Sequence, residues 1–316
     1  MRALRVDGST TNVREVAIPD AGAEVRVRIT HSGICNTDLE LARGYMGFRG
    51  TIGHEFVGVV DHLGSTASTL RVGQRVVGEI NAGCGTCALC AGGDSRHCAT
   101  RTVLGIVARD GAHADFLTLP AQNLIAVPDG VSDLHAVFVE PLAAACGVLE
   151  RCPLAPSDRV AVIGDGKLGL LIAMVLQASG HAPVLVGKHA AKLAIAAARG
   201  IVTTTETPVR GFDVVVEASG SAAGFSRALD LLRPQGALVL KTTVAGTTPV
   251  DASRIVVDEI RVIGSRCGRF GPALELLAGR AIDLDPLISD VVSLDRAEAA
   301  MAQAASPGAL KVVLTR

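Results

Sequence analysis

The 316-residue sequence has no tryptophan and a single tyrosine, so its interior cannot be built on large aromatic rings. Ala, Val, Leu and Gly are abundant instead, which suits a parallel sheet buried on both faces. Net charge is also missing: 30 Lys and Arg against 31 Asp and Glu leave a formal -1. With no basic run, the electrostatic footprint of a nucleic-acid partner is absent, and small-molecule chemistry becomes the expectation. No apolar run approaches the about 18 residues of a membrane span. The opening MRALRVDGST has no apolar stretch behind its basic residues. A cytoplasmic protein with no membrane partner is expected.

The length favours two domains, and the pattern changes along the chain accordingly. Short runs such as EVRVRI, FVGVVDHLG and QRVVGEI, separated by Gly and polar residues, predict an antiparallel, partly barrel-like domain over residues 1–145. From 146 to 270, apolar strands alternate with Ala-rich helices: RVAVIG, KLGLLIAMVLQASG, APVLVG, AAKLAIAAARG, FDVVVEASG, ALVLKTT. That alternation predicts an α/β fold with a doubly wound parallel sheet of Rossmann type. Residues 271–316 return to helices with short strands and are expected to complete the first domain.

Cysteine is scarce outside one loop. Cys84, Cys87, Cys90 and Cys98, in C-x2-C-x2-C-x7-C spacing inside INAGCGTCALCAGGDSRHC, are half of the eight in the chain. In a reducing compartment such clusters are metal ligands more often than disulfides. Four thiolates suit tetrahedral zinc and leave it no open position, so this zinc should hold a lobe together rather than react. Three other stretches carry a mixed donor set: GICNTDLE (33–40), GHEFVG (53–58) and VEPLAAAC (139–146). Cys35, His54 and one carboxylate, Glu55 or Glu140, would leave a fourth zinc position for water or substrate. Taken singly, each of the three has a plain reading as a core thiol, a turn or a helix start.

GHEFVG, the cysteine loop, EPLA and the glycine-rich turn described below together resemble the zinc-dependent medium-chain dehydrogenase/reductase family, which includes alcohol, sorbitol and threonine dehydrogenases. The resemblance runs nearly end to end. It implies a mostly β, GroES-like catalytic domain. Cys35 and His54 would be catalytic zinc ligands, with Glu55 and Glu140 in or beside that shell, and Cys84, Cys87, Cys90 and Cys98 would hold the structural zinc. Thr37 lies where the family has a hydroxyl that takes the substrate alcohol's proton. Asp38 is read as an orienter of a zinc-binding His. Glu40 departs from the family, many members of which carry a His there to pass protons to solvent.

RVAVIGDGKLGLL places Gly164, Gly166 and Gly169, with Lys167 and Leu168 between the last two, after an apolar strand and before a helix. This is the dinucleotide fingerprint, with pyrophosphate facing the helix N-terminus. Asp165 is unusual beside phosphate and is expected to point away or to be offset by Lys167. A carboxylate about 20 residues on would take the ribose 2′-hydroxyl of NAD. The chain has none from 166 to 205, and the second strand ends in VLVGKHAAK. Gly187 would leave room for a 2′-phosphate, with Lys188, His189 or Lys192 pairing its charge, so NADP(H) is expected over NAD(H). Ser219 and Gly220, in VVVEASG, resemble the family segment lining the nicotinamide half.

Cys146, Cys152 and Cys267 read as core thiols. His62, His97, His113 and His135 receive no role, and His31 reads as a satisfied histidine. Phe48 and Leu104 read as apolar core. The expected protein is a two-zinc, NADP(H)-linked alcohol dehydrogenase or carbonyl reductase. Its active site would lie in the cleft between domains, and family resemblance implies a homodimer or homotetramer. The alternatives are an NAD(H)-linked polyol, sugar or amino-alcohol dehydrogenase and a catalytically silent nucleotide binder on the same scaffold.

Overall fold

The computed structural model describes residues 1–8, 10–66, 69–243 and 247–316. The chain divides into one unit of Met1–Glu140 with Leu287–Arg316 and a second of Pro141–Pro286. No helix among the described residues is long and apolar enough to cross a membrane.

In the first unit, alternation dictates the central strand. Val25, Val27 and Ile29 of Val25–Gly33 point inward, while Arg26 and Arg28 alternate with them. One edge of this strand pairs antiparallel with Glu55–His62. Its other edge is shared by Phe116–Leu119 along the first half and Lys311–Thr315 along the second. Arg75–Gly78 and Leu124–Ala126 extend the sheet on the Glu55–His62 side, and Ile288–Ser293 joins Lys311–Thr315 in parallel. The tail thus enters the sheet next to Gly33, with Val313 opposite it. Arg2–Asp7 and Thr10–Glu15, which the sequence reading passed over, form a hairpin beside Gly50–Thr51.

The second unit holds a six-stranded, wholly parallel sheet. Its order is Val202–Thr204, Val184–Val186, Val160–Ile163, Phe212–Glu217, Leu232–Leu240, Arg261–Gly264. This is the doubly wound order, whose strand direction of growth reverses between Val160–Ile163 and Phe212–Glu217. Ligands bind beyond the carboxyl ends of the strands at such a reversal. The aliphatic runs fill the interior: Ala161, Ile163, Val186, Val215 and Leu238 are buried with Phe212 and Phe225.

The division falls at other residues than 145/146 and 270/271. Helix Val139–Arg151 is continuous, and from Pro141 onward it belongs to the second unit, where Lys241 Nζ donates to Ala144 O at 2.7 Å. Helix Phe270–Ala278 stays there too, because Gly268 packs on the Ala143 carbonyl too closely for any side chain, and the chain re-enters the first unit only at Leu287.

The glycine-rich turn is set by close approach. Gly164 has φ +119°, and a Cβ on it would lie 2.4 Å from Ala218 O. A Cβ on Gly169 would lie 1.9 Å from Gly164 O, whereas nothing lies within 4 Å of one on Gly166. Gly169→Ala should therefore destabilise the fold by about 1–3 kcal/mol, the usual range for overpacking. Gly166→Ala should leave folding stability near wild type; denaturant unfolding of both variants distinguishes the two positions.

Candidate functional site

Cys35, His54 and Glu55 each present a donor atom, and the three atoms lie within 4.8 Å of one another. Cys35 precedes helix Asn36–Ala42, while His54 immediately precedes and Glu55 opens the strand Glu55–His62. One sulfur, one imidazole nitrogen and one carboxylate oxygen at that spacing fit a zinc ion with a fourth position left over. Glu140, in the first turn of helix Val139–Arg151, is not part of this convergent group.

Asp38, without exposed surface, ties the group together. Its Oδ2 accepts from the Cys35 amide at 2.8 Å, and its Oδ1 accepts from the Gly53 amide at 3.1 Å. The first bond is the backward half of a capping box, with an acid at the third helical position reaching the cap amide. His54 Nδ1 and His113 Nε2 stand 3.4 and 3.5 Å from its two oxygens, charge contacts rather than short hydrogen bonds. Burial pushes the Asp38 carboxyl up, but His54 and His113 more than offset this and hold it well below its ordinary value. Burial pushes His54 down, yet Asp38 and then Cys35 hold it well above the ordinary histidine value.

His113, given no role above, is fully buried in this network. Its Nδ1 is 2.9 Å from Ser32 Oγ, which in turn accepts from Arg316 Nη2 at 3.1 Å. A Cβ on Gly53 would meet the His113 ring at 2.6 Å, so the glycine of GHEF exists to let the imidazole in. Lys311 was also missed. It is fully buried, ion-paired to Glu55 Oε2, and its ammonium lies 5.6 Å above the Phe138 ring. Burial pushes this lysine down to about 8. No local pattern could have found it, since it reaches Glu55 from 256 residues away. A Cβ on Gly33 would strike Glu55 Oε2 and Val137 at 2.7 Å, which explains the glycine before Cys35. Thr37 Oγ1 lies 3.9 Å from Cys35 Sγ, and Glu40 pairs with Arg43 at 2.8 Å.

In the cysteine loop the four Sγ atoms of Cys84, Cys87, Cys90 and Cys98 also lie within 4.8 Å of one another, and none is in a disulfide. Zinc–sulfur bonds of about 2.3 Å in a tetrahedron put sulfurs about 3.8 Å apart, so the set fits. The amides of Cys84 and Cys87 donate to Cys98 Sγ and Cys84 Sγ, both at 3.4 Å, orienting sulfur lone pairs inward. The Thr86 hydroxyl and then the backbone amides of Thr86 and Cys87 hold the Cys84 thiol down to about 5. The Gly85 amide pulls Cys90 down, but burial and the neighbouring sulfurs push it up to about 11. Thiols spread this far apart are what crowded sulfurs show before a cation neutralises them.

In the second unit, Gly166 caps helix Lys167–Ala178 without any side-chain hydrogen bond, in front of open space. A glycine cap at a helix start with room for backbone approach fits a pyrophosphate. Lys167, Leu168 and Gly169 form the first turn. Gly164 abuts the Ala218 and Ser219 backbone, and the Gly220 amide donates to Thr242 Oγ1 at 3.0 Å, so the two stretches meet at the sheet's reversal point. Asp165 turns to the second strand end, where its Oδ2 accepts from the amides of Lys188 and His189, both at 2.6 Å. Lys188 and His189 are exposed and Lys192 half-buried at the entrance of helix Ala190–Ala197.

Residues 21–129 match the alcohol dehydrogenase GroES-like domain, and residues 168–279 match the zinc-binding dehydrogenase family. The 2-dehydro-3-deoxy-L-galactonate 5-dehydrogenase of Pseudoalteromonas atlantica is 31% identical over 87% of this chain and 86% of its own. A zinc-binding dehydrogenase of Sinorhizobium meliloti 1021, bound to NADP, superposes with a TM-score of 0.88 at 29% identity, over 100% of this chain and 99% of that one. The alcohol dehydrogenase rspB of Escherichia coli CFT073, in complex with NADH, does so with 0.92 at 26% identity, again over 100% and 99%. With both domains and both donor sets in place, the chain belongs to the zinc-dependent medium-chain dehydrogenase/reductase family, as an oxidoreductase of the alcohol and polyol dehydrogenase type.

Proposed function

We propose that this chain interconverts a small alcohol and its aldehyde or ketone by hydride transfer with a nicotinamide dinucleotide, using zinc held by Cys35, His54 and Glu55. The observation that carries this reading is the convergence of those three donor atoms within 4.8 Å, framed by the buried carboxylate of Asp38. When bound, zinc supplies a Lewis acid for the substrate oxygen, and the nicotinamide ring gives or receives the hydride. Asp38 fixes the Cys35 and Gly53 backbone and orients His54. Lys311 holds one oxygen of Glu55. The Thr37 hydroxyl, beside Cys35, accepts the proton that the alcohol loses on oxidation while releasing its own to solvent, and runs the same exchange backwards on reduction. Glu140 stays outside the donor set.

Cys84, Cys87, Cys90 and Cys98 hold a second zinc that stabilises their lobe. Gly164, Gly166, Lys167, Leu168 and Gly169 cradle the pyrophosphate, and Ser219 and Gly220 line the nicotinamide half. Lys188 and Lys192, beside Gly187, are the cations that a 2′-phosphate would meet, the feature on which the sequence-based expectation of NADP(H) rests. The engagement of His189 by Asp165 is a specific observation favouring NAD(H) as the second reading. A homodimer or homotetramer is supported by the exposed edge strand Arg261–Gly264 and the exposed Val256, Val257 and Val262 around it.

Turnover of NADPH and NADH by zinc-loaded protein across aldehydes, ketones, keto-sugars and amino-ketones tests the reaction class. Cys35→Ser should abolish turnover while circular dichroism and melting stay near wild type, and His54→Ala should abolish it with a lowered melting temperature, because it removes a partner of the buried Asp38; activity in either overturns the metal assignment. Because His54 is held protonated well above its ordinary range in the metal-free chain, zinc must displace that proton. Zinc affinity of the Cys35 site should therefore rise with pH up to that raised value, with protons released in weakly buffered titrations. His113→Phe should weaken zinc binding there by about 10–100-fold, as second-sphere changes do. Cys90→Ser should instead lower thermal stability and release one zinc per chain, measured by metal analysis, with the Cys35 site still loaded.

A further inference from the structure

In doubly wound nucleotide-binding sheets, the side chain at the end of the second strand meets the adenosine ribose, and an acid there accepts from its 2′-hydroxyl. In this chain that strand, Val184–Val186, ends at Gly187, which has no side chain to offer. The space is nevertheless filled. A Cβ on Gly187 would lie 2.6 Å from both Cβ and Oδ2 of Asp165, the middle residue of the first glycine turn. Asp165 and any side chain at 187 therefore exclude each other, and Gly187 is the counterpart of the acid rather than an opening for phosphate.

The carboxylate is firmly held. Its Oδ2 accepts from two successive amides, Lys188 and His189, and the His189 ring Nδ1 stands 3.1 Å from both oxygens. These are the amides that would otherwise receive an anion at this strand end. Burial pushes the Asp165 carboxyl up, but the bonds from His189 and Lys188 hold it below its ordinary value, so it is charged at neutral pH. The His189 ring at the entrance of helix Ala190–Ala197 thus has an anionic partner within the chain. Oδ1 accepts no backbone bond among those described and keeps capacity for a hydroxyl donor.

We propose that Asp165 is the coenzyme-specificity residue of this chain, a carboxylate delivered from the glycine turn to the place of the missing strand-end acid, selecting the free 2′-hydroxyl of NAD(H) against the 2′-phosphate of NADP(H). This rests on the reading that the chain binds a nicotinamide dinucleotide. A 2′-phosphate would bring its charge against a fixed carboxylate with the local amides already used. Lys188 answers that repulsion only from an exposed, flexible side chain and Lys192 from a half-buried one.

Binding, read without turnover, tests it: calorimetric titration of the zinc-loaded chain with NADH and with NADPH. NADH should bind at least about tenfold tighter than NADPH, a factor corresponding to 1.4 kcal/mol. Asp165→Asn keeps the shape and one acceptor oxygen for the two amides but loses the charge, and should reduce that ratio to near unity or reverse it. Should this variant melt early, the exchange Asp165→Gly with Gly187→Asp moves the acid to the strand end into the space vacated, and should restore tighter NADH binding. NADPH binding as tight as NADH in wild type overturns the proposal. So does an unchanged ratio in Asp165→Asn, or an exchange variant that folds and shows no NADH preference. Binding of neither coenzyme by wild type overturns the nicotinamide reading itself.

Discussion

A charge sealed from water has to be answered on every side, and Asp38 is answered by two backbone amides and two imidazoles. An ion left unpaired at such a depth costs several kcal/mol. Because the two amides belong to Cys35 and to Gly53, one carboxylate fixes both stretches that carry metal donors. The donor geometry is therefore organised by the protein before any metal arrives, as a precise site requires. His113, Ser32 and Arg316 extend the same polar thread from Asp38, each link a hydrogen bond or charge contact within 3.5 Å.

A second buried charge set lies beside it. Lys311 answers Glu55 and lies against Phe138, one of the few rings the composition provides. The surroundings are aliphatic: Leu4, Ile34, Leu41, Ile52, Val312 and Leu314 form one cluster of the unit. In so apolar a setting ion pairs are poorly screened. The geometry of Glu55 is consequently governed by the tail strand as much as by its own.

The parallel sheet was legible because each strand is a short apolar run and each helix an Ala-rich one, and periodicity reads such segments directly. The cysteine loop was legible because its ligands are neighbours in sequence. Cys35, His54 and Glu55 were singled out by type, but that Glu55 and not Glu140 converges with the other two is visible only in three dimensions, since EPLA looks as metal-like as GHE in one. His113 and Lys311 were invisible because their partners are remote: nothing about LKVV marks a lysine that will meet residue 55. Asp165 was noticed as odd, yet where its side chain goes depends on an empty position 22 residues later. The compact units divide at Glu140/Pro141 and Pro286/Leu287 rather than at 145/146 and 270/271, and the first of these lies inside helix Val139–Arg151, whose pattern shows no break.

The first unit is interrupted by the whole of the second, and this sets an order of events during synthesis. Glu55 leaves the ribosome 256 residues ahead of Lys311. At about 5–20 residues per second, the nascent chain carries that carboxylate without its cation for roughly 13–50 s. In that interval the edge of Val25–Gly33 that Lys311–Thr315 will occupy is also open. The parallel sheet of the second unit is synthesised within the same window, so the Glu55–Lys311 pair closes only after that sheet has been made.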